Sequence, residues 1–191
     1  MATPPALLGP LALSRATTDR AGHRRLEPEL LDRLRADPTT RVLRLAGGRT
    51  PVVQDVSATD LAATGLRADL AAPAEAAAAA LWLYLGTGDD GLEYLAAVEA
   101  EPGDDWRSLR EVGVDLDDTG AGLLTAAVAL SNWHETHTHC PRCGTPTLPE
   151  NGGWTRRCPA DGSEHYPRTD AAIIVAVTDA DDRVLLGHNP A

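Results

Sequence analysis

The chain has 191 residues, of which 43% are hydrophobic and 24% are charged, a composition typical of a globular protein with one or two domains. Its formal charge of −11 argues against a broad phosphate-binding surface, although Arg156 and Arg157 form a local basic pair. The sequence contains no run of about 20 apolar residues that would cross a membrane, and its first residues lack the pattern of a signal peptide. We therefore expect no membrane partner and a cytoplasmic location.

The first part of the chain predicts a small domain that is mainly β. Residues 1–25 are expected to form an irregular arm, and residues 26–105 the domain itself. Residues 41–56 predict a hairpin that turns at Gly47-Gly48, because apolar residues cluster on both sides of the two glycines. In this interpretation one group of apolar residues faces the other: Val42, Leu43 and Leu45 against Val52, Val53 and Val56.

A second hairpin and a long helix are predicted further along the chain. Residues 81–98 read as two strands around a turn from Gly86 to Gly91, and the alanine tract before them as a short helix or linker. Residues 106–138 predict a connector and a helix that ends near Thr136. The polar residues at its start suit an N-cap, and an apolar stripe follows them: Asp117, Asp118 and Thr119, then Leu123, Leu124, Ala127, Val128 and Ser131.

Residues 139–167 carry the strongest signal, which is a zinc ribbon. Cys140 and Cys143 are three positions apart and are followed by a glycine, which is the pattern of a metal-binding knuckle. The same turn recurs at Cys158, with Asp161 in the position of the second ligand and again a glycine after it. All three cysteines of the chain lie in these two turns, so we expect metal ligation in a reducing compartment rather than disulfides.

The fourth ligand and the role of the neighbouring histidines stay open at this stage. Asp161 has the spacing of a second knuckle, whereas His165 is the chemically better zinc ligand but lies four residues later. A second group of candidate metal ligands is His134, His137 and His139. The simpler alternative is that these histidines lie at the solvated C-terminal end of a helix, where they suit its negative dipole. Trp154 is expected to pack across the ribbon.

Residues 168–191 predict the first hairpin of another domain. Ala172–Val177 reads as a buried strand, Asp179–Asp182 as a polar turn, and Arg183–Leu186 as the start of a return strand. Nothing that follows in the chain would cover this hairpin, so we expect a truncated domain. The fold class expected for the whole chain is α+β.

The ordered series of motifs resembles the NADH pyrophosphatases, a family of Nudix hydrolases with an N-terminal domain, a zinc ribbon and a C-terminal Nudix domain. The similarity is carried by the segments 108–112 and 115–116, the ribbon, Tyr166-Pro167-Arg168 with Asp170, and the apolar run after them. The resemblance implies a Nudix-like N-terminal domain over residues 26–105 and a Nudix domain that starts at residue 168.

The resemblance also implies an activity. The family hydrolyses the pyrophosphate of NAD(H) to nicotinamide mononucleotide and AMP, and some members remove NAD caps from RNA. Arg110 matches a family position that contacts substrate, and Tyr166 matches a tyrosine beside the dinucleotide. Structural zinc, catalytic magnesium or manganese and a homodimer are implied in the same way.

This sequence departs from the family in two places. Asp161 replaces the fourth ribbon cysteine, and the glutamate-rich Nudix box that holds the catalytic metal ions is absent from the 191 residues. The chain itself is therefore predicted to lack catalytic residues and to be inactive alone. The alternative from another class is a non-enzymatic zinc-ribbon adaptor that binds protein or nucleic acid.

Overall fold

The computed structural model describes residues 12–54, 65–167 and 176–186. The strands are β1 (Arg41–Leu45), β2 (Arg49–Thr50), β3 (Val52–Gln54), β4 (Leu66–Ala68), β5 (Leu70–Ala71), β6 (Leu81–Thr87), β7 (Glu93–Val98), β8 (Arg107–Ser108), β9 (Leu148–Glu150), β10 (Thr155–Arg157) and β11 (Glu164–His165). The α-helices are α1 (Leu30–Ala36), α2 (Leu109–Val112) and α3 (Asp118–Thr136), and short 3-10 turns cover Gly22–Leu26, Pro73–Ala76 and Asn151–Gly153. The α+β fold class is confirmed.

The main sheet has four strands in the order β5-β1-β7-β6. Strand β1 runs parallel to β7 and antiparallel to β5. Val42, Leu43 and Leu45 are fully buried, which means that β1 is covered on both faces. The faces carry separate apolar clusters, one packed against α3 and the other against α1. The sheet is thus the middle layer between two helical layers.

The hairpin predicted over residues 41–56 is wrong, although its turn is real. The backbone groups of Ala46 and Arg49 bond each other across Gly47-Gly48. Beyond the turn, however, β2 pairs with β8, and β3 pairs with β4 instead of β1. The physical reason is burial: β1 is apolar on both faces and occupies a central position, whereas Val53 in β3 remains 43% exposed. Val56 lies outside the described residues.

The second predicted hairpin is confirmed. Strands β6 and β7 pair antiparallel, with an irregularity in register between Tyr84 and Gly86. Gly86 has a φ of 126°, and a Cβ there would lie 2.1 Å from the carbonyl oxygen of Asp19. Only glycine therefore permits the chain around Asp19 to bond the backbone of Thr87 at this point.

Helix α3 forms as predicted and leads directly into the ribbon. The carboxylate of Asp117 accepts a hydrogen bond from the backbone N–H of Gly120, which caps the first turn. Leu123, Leu124 and Ala127 are buried against the sheet. None of the helices in the described residues has the length and hydropathy needed to cross a lipid bilayer.

The described part of the predicted arm lies against the domain. The Arg15 guanidinium donates hydrogen bonds to the carbonyl oxygens of Leu116 and Gly113 and forms an ion pair with Asp118. A Cβ on Gly122 of α3 would lie 2.7 Å from the Cα of Ala16. The segment before the first 3-10 turn is therefore a docked extension of the fold.

The last described segment, residues 176–186, contains the predicted polar turn. The backbone N–H of Leu185 bonds the carbonyl of Val177, and Asp182 has a left-handed φ of 64°. Leu185 and Leu186 are 73% and 86% exposed. Most of the strand predicted at Ala172–Val177 lies outside the described residues.

Candidate metal centre and adjoining cleft

The two knuckles of the ribbon have the same backbone geometry. In the first, the N–H of Gly144 bonds the carbonyl of Cys140, and the N–H of Cys140 bonds the carbonyl of Thr145. In the second, the N–H of Gly162 bonds the carbonyl of Cys158, and the N–H of Cys158 bonds the carbonyl of Ser163. These two N···O distances are both 2.9 Å, and the matching distances in the first knuckle are 2.9 and 2.8 Å. Both glycines adopt a left-handed φ, of 73° and 71°. The sequence repeat is therefore also a structural repeat.

This pairing brings three sulfurs and one carboxylate together. The ligand atoms of Cys140, Cys143, Cys158 and Asp161 all lie within 4.8 Å of one another. The sulfurs of Cys143 and Cys158 are 3.5 Å apart, and the sulfur of Cys140 lies 3.8 Å from Oδ2 of Asp161. Zinc–sulfur bonds of about 2.3 Å place tetrahedral ligand atoms about 3.8 Å apart. The donor set and its spacing fit a zinc ion.

Asp161 and His165 take different positions relative to this group. One carboxylate oxygen of Asp161 accepts hydrogen bonds from the N–H and hydroxyl of Ser163, which leaves the other oxygen facing the sulfurs. Nε2 of His165 lies 3.2 Å from the Ser163 hydroxyl and is not part of the group. The hydrogen bonds from Ser163 hold the pKa of Asp161 well below its usual range.

The thiols of the group differ in acidity. The Ser163 hydroxyl, supported by backbone N–H groups of the knuckle, lowers the pKa of Cys140 to about 6. Burial raises the pKa of Cys158 to about 11. Cys140 and Cys158 are buried whereas Cys143 is exposed, and none of the three forms a disulfide. A metal would thus approach from the side of Cys143.

The ribbon is fixed to the N-terminal domain through its 3-10 turn. A Cβ on Gly152 would lie 2.9 Å from Cβ of Tyr84, and one on Gly153 would lie 2.4 Å from Cδ2 of Leu83. The indole N–H of Trp154 donates to the carbonyl oxygen of Tyr84 at 2.6 Å. Trp154 was expected to pack across the ribbon, but it packs against β6 of the N-terminal domain.

A buried polar network fixes the ribbon to α3. Arg156 is 8% exposed, and its guanidinium bonds Nδ1 of His134, the carbonyl oxygen of Thr147 and the Thr147 hydroxyl. Arginine can only donate, so Nδ1 of His134 accepts, and Nε2–H donates to the carbonyl of Gly153. Burial, together with the charge of Arg156, lowers the pKa of His134.

The three histidines are not a metal site within the described residues. His134 is buried at 5% exposure, so the solvated helix end expected there is wrong for this residue. His137 is exposed at the C-cap of α3, with Nδ1 bonded to the Thr136 hydroxyl. His139 is also exposed, and its Nδ1 bonds Thr138.

Tyr166 lines two adjoining clefts beside the ribbon. One, of about 500 Å³, lies between the ribbon and the first 3-10 turn of the chain. The other, of about 530 Å³, runs along the C-terminal half of α3. Both are also lined by Arg20 and Trp154, and the Tyr166 ring is 57% exposed. Arg110 is exposed on α2 and lines neither cleft.

Two knuckles that present three cysteine sulfurs and a carboxylate define this part of the molecule as a zinc ribbon. The family model for the NADH pyrophosphatase zinc ribbon domain matches residues 135–166. The resemblance to the NADH pyrophosphatases is thereby confirmed for the ribbon: residues 135–166 are similar to the zinc ribbon domain of that family.

Curated relatives agree with this assignment. The chain is 41% identical over 83 residues to the NAD-capped RNA hydrolase NudC of Mycobacterium tuberculosis strain H37Rv, which covers 44% of this chain and 26% of the relative. Proteins of the same name from Stutzerimonas stutzeri and Deinococcus radiodurans are 36% and 39% identical over 89 and 95 residues. Those matches cover 47% and 48% of this chain and 32% and 34% of the relatives. The chain therefore spans about a quarter to a third of the length of the curated relatives it matches.

Sequence reasoning missed the residues that attach the ribbon to the domain. The sequence indicates only a local basic pair at Arg156 and Arg157, but the structure buries Arg156, whereas Arg157 pairs with Glu150 and Glu164 near the surface. The alternation of a short strand could have separated the two, because neighbours in a strand face opposite sides. The guanidinium groups of Arg20 and Arg25 lie 5.9 and 3.7 Å from the centroid of the Trp154 ring, and no comparable sequence signal marked these two residues of the predicted arm.

Proposed function

We propose that the whole protein is an NAD(H) diphosphatase and that this chain supplies its N-terminal domain and zinc ribbon. The observation that carries the proposal is the group of three cysteines and Asp161, which lies inside the segment that matches the NADH pyrophosphatase ribbon. A zinc ribbon alone would also suit an adaptor protein. The relationship to hydrolases named for NAD-capped RNA favours the enzyme.

In this proposal Cys140, Cys143, Cys158 and Asp161 hold one structural zinc ion. Bound zinc would supply folding free energy to a segment whose own strands are only two or three residues long. The paired knuckles preset the direction of the sulfurs through their backbone hydrogen bonds. The ribbon would then hold Tyr166, immediately after β11, at a fixed place beside the clefts.

The proposed reaction is hydrolysis of the central pyrophosphate of NAD(H). Water attacks one phosphorus atom and the bridging P–O bond breaks, which yields nicotinamide mononucleotide and AMP. Tyr166 would offer an aromatic face to a base, and Arg110 a guanidinium to a phosphate. NAD-capped RNA is a second proposed substrate, because it presents the same pyrophosphate. A homodimer and a cytoplasmic location are part of the same proposal.

The residues that would hold catalytic magnesium or manganese are not among these 191, since the sequence contains no Nudix box. We therefore predict that the chain alone does not hydrolyse NADH with either metal ion. The measurement is product formation by chromatography, with a complete family enzyme as the positive control. Turnover by the chain that survives repurification and disappears with a chelator would contradict the prediction.

A matched pair of assays tests the function itself. A protein that joins this chain to a Nudix domain carrying the glutamate box should release nicotinamide mononucleotide from NADH. The same protein with the box glutamates changed to glutamine should not. If both are inactive on NADH, NAD and NAD-capped RNA while zinc is bound, the adaptor function becomes the better explanation.

A further inference from the structure

The ribbon carries an odd number of thiols, which limits what oxidation can do to it. The chain has three cysteines, and Asp161 takes the fourth position of the candidate zinc site. A site of four cysteines can close two disulfides and leave no thiol. A site of three cysteines closes only one, so a thiol remains beside the new bond and can exchange with it.

Cys143 and Cys158 are the two cysteines that the fold places for a crosslink. Their sulfurs lie 3.5 Å apart and come from different knuckles, 15 positions apart in the chain. Cys143 is exposed, whereas Cys158 is 0% exposed. Redox-sensing cysteines are accessible to the oxidant and often lie next to a second thiol that resolves the oxidised form. In this pair Cys143 has the accessible position and Cys158 the resolving position.

Cys140 lies among different groups. Its sulfur is 3.8 Å from Oδ2 of Asp161 and 3.5 Å from the Ser163 hydroxyl, and the residue is 2% exposed. The sulfur of Cys140 is nevertheless within 4.8 Å of the sulfurs of Cys143 and Cys158. When those two are joined, Cys140 is therefore left as a shielded thiol next to the disulfide.

We propose that Cys143 and Cys158 form a site of reversible oxidation by hydrogen peroxide, at which a disulfide replaces the bound zinc ion. The Cys143 thiolate attacks one peroxide oxygen, the O–O bond breaks, and Cys143 becomes a sulfenic acid while the other oxygen leaves as water after protonation. The Cys158 thiolate then attacks the sulfenic sulfur, which forms the S–S bond and releases a second water. Two electrons pass from the two sulfurs to the peroxide, and the two protons come from solvent.

The crosslink joins the same two knuckles that the metal joins. Oxidation leaves Cys140 and Asp161 as the remaining candidate ligands, and two ligands are too few for a structural zinc site, which takes four. We therefore expect the oxidised ribbon to be free of zinc but still closed. A dithiol that attacks the exposed sulfur of Cys143 would release Cys158 and reverse the change. The inference goes beyond the proposed function and uses only the zinc site from it.

The test treats the zinc-loaded chain with equimolar hydrogen peroxide and follows free zinc with a chromogenic reporter. We expect zinc to be released in step with the loss of two of the three thiols. Free thiols are then alkylated and the chain is cut with trypsin, which separates the cysteines because Arg142 and Arg157 directly precede Cys143 and Cys158. The label should lie on Cys140, and the other two peptides should be joined. A dithiol with added zinc should restore the metal.

A matched pair of variants separates the crosslink from simple loss of metal. Cys140→Ser and Cys143→Ser each remove one candidate zinc ligand, so weaker zinc binding affects both. Only Cys140→Ser keeps the proposed pair, and it should lose two hydrogen atoms by mass as the disulfide closes. Cys143→Ser retains only buried thiols, which should stay reduced under the same treatment. Far-ultraviolet circular dichroism before and after peroxide checks that the variants remain folded.

Three results would overturn the proposal. The first is a chain that keeps both its zinc and its thiols in the presence of peroxide. The second is a disulfide that joins Cys140 to Cys143 or links two chains, since the geometry would then not select the pair. The third is release of zinc with oxygen added to sulfur and no S–S bond. Because no hydrolysis is measured, a chain without activity on NAD(H) can still give the expected result.

Discussion

The buried arginine of the ribbon allows a sharp test of how the ribbon is attached. We predict that Arg156→Met destabilises the chain severely, whereas the same change at its neighbour, Arg157→Met, does not. Arg156 makes three hydrogen bonds inside the protein, to His134 and to two groups of Thr147. Arg157 makes its ion pairs with Glu150 and Glu164 and is 42% exposed.

The magnitude follows from what each substitution leaves behind. Methionine at position 156 leaves up to three buried acceptors without a hydrogen bond, and each costs about 1–3 kcal/mol when unsatisfied. Part of this cost is offset because the charged guanidinium no longer has to be buried. We therefore expect a net loss of about 3 kcal/mol. The exposed pairs of Arg157 contribute about 0–1 kcal/mol in total, since solvent screens them.

The assay is urea unfolding of both variants in a zinc buffer, followed by far-ultraviolet circular dichroism. In thermal melts, about 3 kcal/mol corresponds to a fall of roughly 10 °C in the midpoint for a chain of this length. Zinc content must be the same in both variants, so that metal loss is not mistaken for the lost network. Equal costs for the two substitutions, or a cost below about 0.5 kcal/mol for Arg156→Met, would refute the reasoning.

Three further predictions follow from the same region. Because burial lowers the pKa of His134 in the folded chain, the unfolded chain takes up the proton first, so stability should fall as the pH drops below about 6.5. His134→Asn should flatten this dependence of stability on pH, measured by urea unfolding at several pH values, and an unchanged slope would contradict the prediction. For zinc, Asp161→Ala should weaken retention against a chromogenic chelator more than His165→Ala, and the reverse order would move the fourth ligand to the histidine. Gly153→Ala should lower the thermal midpoint, because its Cβ would meet Leu83 at 2.4 Å in a left-handed backbone conformation, and an unaltered midpoint would show that the turn can shift.

The parts of the fold that the sequence predicts are those determined by local chemistry. The N-cap Asp117 sets the start of α3 by accepting a hydrogen bond from the backbone N–H of Gly120, three residues further on. The β6–β7 hairpin contains two glycines with positive φ, Gly86 and Gly91, a backbone conformation that few other residues adopt. The knuckles depend on a cysteine–glycine spacing within five residues. In each case the residues that decide the structure are neighbours in the chain.

The pairings that were missed depend on distant residues. Strand β1 lies beside β7, which follows it by about fifty positions: Leu43 pairs with Ala96. A run of apolar residues shows that β1 is buried but does not name its partner. Burial of Arg156 has a similar origin, because its acceptors lie on α3 and on the chain before β9. Composition alone assigns an arginine to the surface.

The docked turn at Gly152-Gly153 couples zinc binding at the ribbon to the stability of the N-terminal sheet. The ribbon cannot open without releasing Trp154 from the main-chain oxygen of β6, so the metal site and the sheet should unfold in one cooperative step. Each tenfold rise of free zinc above its dissociation constant would then add about 1.4 kcal/mol to the stability of both. The melting temperature of a sheet that contains no metal ligand should therefore report the free zinc concentration of its surroundings.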